Sequence, residues 1–182
     1  MTLADGKRKT LMLLDEYSSG GAQIVDEDIN LRMNDFFDLA QKDMAKWQPI
    51  FRRAEVALDG TGAQALPDDV SRVLRITQGG RLARELEVID GRLVYPAGDT
   101  AEVTLDYIAV PAAITPETED DYVFEVSEEA AACLPFFVAA QHLAADLVVD
   151  YGKLYGMYQQ MRAMLPRSTA RPGGSRQTLY GR

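Results

Sequence analysis

The chain has one histidine, His142, and one cysteine, Cys133, so a thiol–imidazole nucleophilic centre would have to use both. They lie nine residues apart in a stretch that reads as helix. At ~100° per residue an unbroken helix turns them about 180° apart, and no dyad forms. Pro135, between them, either kinks that helix or begins a new one. His142, Asp146 and Asp150 recur at i, i+4 and i+8 on one helical face, a pattern that suits a proton relay or part of a metal site. Further ligands at recognisable spacing are needed, and the sequence has no second His or Cys. The plainer reading is a polar seam along the helix.

Other candidates fall the same way. The stretches "SSGG", "DGTGA" and "TQGGR" lack the strand–loop–helix setting and the Lys-Ser/Thr of a phosphate cradle, and read as turns. Asp68 and Asp69 in "LPDDV" are adjacent and point apart in an extended chain, so they mark a turn leading into a strand rather than an acid–base pair. Tyr151, Tyr155 and Tyr158 form a stripe at i, i+4, i+7 that suits either an interface or bundle packing. Met157, Met161 and Met164 read as core or interface filler. The sequence thus offers no catalytic residue, no metal site and no cofactor site, and its expected role is non-enzymatic.

Charge points elsewhere. The chain has 182 residues and a formal net charge of −9. From Pro166 onward it carries Arg167, Arg171, Arg176 and Arg182 and no carboxylate. The rest holds 15 basic against 28 acidic residues, a body at −13 with a tail at +4. Such a body argues against general binding to nucleic acid or anionic membranes. The tail, "STARPGGSRQTLYGR", has Pro and paired glycines that prevent helix, and ends on Leu179 and Tyr180. Its spaced arginines and terminal apolar pair suggest a docking arm that orders on a partner, against the plainer reading of a frayed terminus. The single cysteine suits a reducing compartment. No apolar run approaches the ~20 residues of a bilayer span, and the first residues do not read as a secretory signal.

The elements that must carry this arm follow from periodicity. Helices are expected over about 4–18, 26–48, 127–149 and 150–165, with "SSGG" ending the first and Asp26 and Ser127 as N-caps. Ile29, Met33, Phe36, Ala40, Met44 and Trp47 recur at helical steps, and Pro49 closes that segment. The segment after Ser127 is apolar nearly all round, as the centre of a bundle requires. Leu154, Met157, Met161 and Leu165 mark one face of the last helix. Between Arg52 and Val110 short β-rich runs predict four or five strands, with a two-residue hairpin at Asp90-Gly91. A further short strand is expected near Tyr122–Val126. The fold class is α+β: a helical bundle from both ends of the chain, a small antiparallel β insertion over about 52–110, and an extended C-terminal arm. Residues 1–165 form the body and 166–182 the arm.

In "LMLLDEYSSGG" with "DEDINLRMNDFFDLAQKDMAK", in "LPDDV", and in "ITPETEDDYVFEVSEEAAACLPFFVAAQHLAADLVVDYGKLYGMYQQM", the chain resembles the head–tail connector proteins of tailed bacteriophages, the adaptor or head-completion family. The likeness covers most of Leu11 to Leu165; Val70 departs from it, standing where an aromatic is expected. The resemblance implies a virion protein made in the bacterial host cytoplasm, with no membrane partner. It would assemble as a dodecameric ring beneath the portal protein, with a stopper or tail-completion protein below. DNA would pass through the channel without specific binding, which an acidic body favours. Relatives embrace the portal with a C-terminal arm, so Arg167, Arg171, Arg176, Leu179, Tyr180 and Arg182 become the expected partner-binding residues. Two alternatives stand beside this: a stopper or tail-completion protein of the same connector, and a bacterial α+β protein-binding module with a basic recruitment tail.

Overall fold

A computed structural model describes residues 1–14, 27–145 and 151–166. The chain divides into two compact units, a helical one from Met1–Pro49 with Pro111–Arg167 and a β unit over Ile50–Val110. The architecture is α+β with antiparallel sheets, as the periodicities predict.

In the helical unit, α1 (Leu3–Leu13) starts on a capping box. The Thr2 hydroxyl accepts from the Asp5 amide at 3.2 Å, and the Asp5 carboxylate accepts from the Thr2 amide at 3.3 Å. The long α2 (Glu27–Trp47) buries Met33, Phe37, Ala40 and Met44 completely. Ser127 caps α3 (Glu128–Ala131), its hydroxyl accepting from the Ala130 amide. The predicted single helix is broken here: α4 (Leu134–Ala145) begins afresh after Ala132 and Cys133. Pro135 sits in the first turn of α4, where its missing N–H costs no helical bond. Ala130, Leu134 and Val138 then pack with Leu3, Leu11 and Phe37 in one core, joined by Tyr158 of α5 (Tyr151–Met164). Helix α1 stops at Leu13 with Leu14 as its C-cap, short of the predicted end at Ser18–Gly21, and the predicted cap at Asp26 lies outside the described residues.

A connector from Pro111 to Val126 runs along this bundle, and a polar ladder on α2 holds it. Asn34 Nδ2 donates to the Thr115 carbonyl at 2.7 Å, and Asp38 accepts from the Ile114 amide at 3.1 Å. Gln41 donates to the Ala112 carbonyl at 3.3 Å and to the Tyr122 hydroxyl at 3.0 Å, and accepts from the Glu125 amide at 2.9 Å. These groups replace the water that the connector's backbone would otherwise need. Ile114 and Phe124 enter the core between them. The strand expected at Tyr122–Val126 is reduced to a single bridge, Thr2 with Val123.

The β unit has seven strands in two sheets rather than four or five in one. Strands β1 (Ile50–Ala57), β7 (Glu102–Ala109), β3 (Val70–Gln78) and β4 (Arg81–Leu82) form one sheet in the order β1-β7-β3-β4. The other is β2 (Ala63–Ala65), β6 (Arg92–Val94), β5 (Glu87–Ile89), in that order. Central β7 alternates as a half-buried strand should, with Val103, Leu105, Tyr107 and Ala109 in the core alongside Leu93 and Tyr95. The predicted hairpin is present: Ile89 pairs with Arg92 across Asp90 (φ 49°) and Gly91 (φ 73°). Two positive φ values in succession make the turn type whose twist matches its strands.

Candidate functional site

The predicted arm residues Arg167, Arg171, Arg176, Leu179, Tyr180 and Arg182 lie outside the described residues, so the site is built from the arm's root. Tyr158 and Arg162 stand one turn apart on α5 and converge on a single carboxylate, Asp43 of α2. The Tyr158 hydroxyl donates to Asp43 Oδ2 at 2.6 Å, and Arg162 Nη1 donates to the same oxygen. The Arg162 guanidinium also lies over the rings of Trp47, at 5.2 Å, and Tyr158, at 5.5 Å. Burial pushes the Tyr158 phenol up, and the hydrogen bond to and charge of Asp43 push it further, against Arg162. Charge-assisted bonds of this type are worth about 1.5–3 kcal/mol each when buried, less at a half-open site such as this.

One turn further on, Gln48 takes over. Its Nε2 donates to the Pro166 carbonyl at 2.9 Å, and its Oε1 accepts from the Ser127 hydroxyl at 2.9 Å. Ser127 is the α3 cap, so one glutamine ties the end of α2, the start of α3 and the last described residue together. The chain therefore reaches Arg167 from a root fixed by side chains of α2 and α5.

The tyrosine stripe divides. Tyr158 is fully buried, Tyr155 packs against the core with Phe137, and Tyr151 is exposed. Met161 packs on the core, whereas Met157 and Met164 are exposed. None of the residues Asp43, Trp47, Gln48 or Ser127 was predicted as part of a site. Tyr158 and Arg162 at i, i+4 are a local sign of a shared face, but Asp43 lies 115 residues from Tyr158 and left no local sign.

The chemistry candidates are accounted for in the same way. Cys133 lies in the turn before α4, its thiol donating to the Glu129 carbonyl at 3.3 Å. Burial pushes that thiol up, away from the reactive thiolate. His142 is buried with its ring edge against Phe36, 6.3 Å between centroids. Asp146 and Asp150 lie outside the described residues. Among the described residues no group of three or more His, Cys, Asp or Glu could hold a metal ion, and no helix is long and apolar enough to cross a membrane.

In the β unit, "LPDDV" is a turn into β3, the Val70 amide donating to the Pro67 carbonyl at 3.1 Å. Asp69 accepts from Arg52 at 2.5 Å and from the Tyr107 hydroxyl at 3.1 and 3.2 Å, and its carbonyl takes the Val110 amide at 2.7 Å. Burial pushes the Tyr107 phenol up, and Asp69 adds to the effect. Asp69 therefore links β1, β7 and the start of β3, while Asp68 is exposed: a structural joint, with no paired carboxylate.

The model of one protein family, the SU10 adaptor protein, matches residues 1–179. The chain belongs to the SU10 adaptor protein family. This is a family of phage head–tail adaptors, structural proteins that interact with other head–tail proteins of the virion. The match runs through Asp43, Gln48, Tyr158 and Arg162 and on to residue 179. No curated protein matches the chain.

Proposed function

We propose that this adaptor forms a dodecameric ring beneath the portal protein, conducts DNA toward a stopper or tail-completion protein, and grips the portal with residues 167–182. The observation that carries the reading is family membership over residues 1–179, which include nearly all of the arm. The root supports it. An arm that must find a neighbour gains from a fixed starting point, because fewer chain conformations are then lost on docking. Arg167, Arg171, Arg176 and Arg182 are suited to steer the arm to an acidic surface, and Leu179 and Tyr180 to anchor it by burial. The acidic body suits a conduit, since phosphates meet repulsion rather than a binding surface.

Removing residues 167–182, with the Pro166 carbonyl left in place for Gln48, tests the arm. The truncated protein is expected to keep its circular dichroism and melting transition and to lose attachment to portal-bearing capsids. Attachment at the full-length level would refute the docking role.

A further inference from the structure

The β unit carries a sheet edge that is open among the described residues. Strand β3 pairs with β7 along its length, but on its other side β4 covers only Thr77 and Gln78. Ile76 gives its carbonyl to the Ala83 amide, and the Val70 amide is held by the Pro67 carbonyl. The edge uncovered among the described residues therefore runs from Ser71 to Arg75, with register shifts against β7 between Val70 and Arg72 and between Val73 and Arg75. Five residues span at most roughly 17 Å. Residues of this edge line an open groove of about 670 Å³, to which Leu86, Val88 and Gly91 also contribute.

Three arginines line the groove: Arg72 and Arg75 on β3, and Arg84 between β4 and β5. None of them makes an ion pair or side-chain hydrogen bond among the described residues, whereas Arg8, Arg52, Arg53 and Arg162 all engage carboxylates. In a chain with nine more negative than positive charges, three unengaged arginines on one groove are a local reversal of sign. Exposed Leu74, Leu82 and Val88 lie among them.

We infer that this groove binds an extended acidic segment of another protein, which adds a strand to β3 and sets its carboxylates against Arg72, Arg75 and Arg84. Free backbone groups supply the pairing, the groove takes alternate apolar side chains, and the arginines select the charge. The chain itself offers no suitable occupant among its described residues. Two copies joined edge to edge would set arginine against arginine. The acidic stretch from Glu117 to Glu129 has backbone groups engaged by Gln41, by the start of α1 and by its own turns. DNA would find the arginines but would leave the strand edge and the leucines unused.

Fluorescence anisotropy of the full-length protein with labelled nine-residue peptides tests this, one alternating valine with glutamate, the other valine with lysine. The glutamate peptide is expected to bind at least about tenfold more tightly. Arg72→Glu with Arg75→Glu should abolish the preference, and exposed Arg84→Glu, outside any strand, should weaken it without a folding risk. Hydrogen exchange should slow at residues 71–75 on binding. Equal binding of both peptides, or protection confined to other segments, overturns the inference and leaves the arginines as guards of the edge. So does preference for a single-stranded oligonucleotide over the glutamate peptide, or sedimentation showing self-association that Arg84→Glu removes.

Discussion

Tyr158 joins packing and electrostatics in one side chain. Its ring meets Phe137 at 5.2 Å in the core, while its hydroxyl reaches out to Asp43. Replacing it by phenylalanine keeps the ring and deletes the bond, leaving Asp43 to Arg162 alone. Tyr158→Phe is expected to lose about 1–2 kcal/mol in urea melts at neutral pH. The alkaline limb gives an independent sign. The fold raises the phenol's pKa, so above about pH 10 the unfolded chain releases a proton that the native chain keeps. Stability from this source is complete below that pH and is lost as pH rises beyond it. The variant should therefore fall less steeply than the parent above pH 10, with Tyr107 and the Cys133 thiol, both also raised, contributing to what slope remains. Identical alkaline limbs would mean that the hydroxyl is not held in solution as it is here.

At the scale of elements, two helical glycines make opposite predictions. A Cβ on Gly6 of α1 would stand 2.9 Å from Phe37 Cζ and 3.3 Å from Phe124 Cε2. Both rings are buried and cannot swing clear. Alanine's helix preference, worth about 1 kcal/mol, is outweighed by overpacking of about 1–3 kcal/mol. Gly156 of α5 has nothing within 4 Å of such a Cβ, so alanine there should stabilise by up to about 1 kcal/mol. Thermal melts of Gly6→Ala and Gly156→Ala should move in opposite directions; a shared direction would mean that α1 does not pack so closely. What could be read from sequence follows the range of the signal. Ser127 as a cap and Asp90-Gly91 as a hairpin turn act within four residues, and both are in place. The two sheets escaped because β4 has two residues and β2 three, too few for alternation to register, and because no local sign assigns the β5–β6 hairpin to a sheet of its own. Asn34 and Gln41, which no motif singled out, are buried by a connector some 70 to 80 residues later in the chain. For the site, no predicted motif included Arg162 or its acceptor, and Gln48 stood only as the residue before a proline.

For the whole molecule, the question is how the proposed cationic arm could hold a virion joint. If residues 167–182 dock as proposed, ordering them would cost about 1–2 kcal/mol of backbone entropy each, set against four arginines and two apolar anchors. In the proposed assembly the root at Asp43 and Gln48 would fix where the arm starts and leave that ordering cost to be met by its partner. A ring would change the balance, because the first arm to dock would raise the effective concentration of every other. In the proposed assembly a free peptide of residues 167–182 should therefore displace the full-length protein from portal-bearing capsids only at about 10²–10⁴ times its concentration. Each arm's attraction is electrostatic at long range, so raising salt should weaken the peptide and the intact ring alike. Competition binding at two ionic strengths checks both points. A peptide that competes at equal concentration would show that one arm suffices, and multivalency would lose its role in holding the joint.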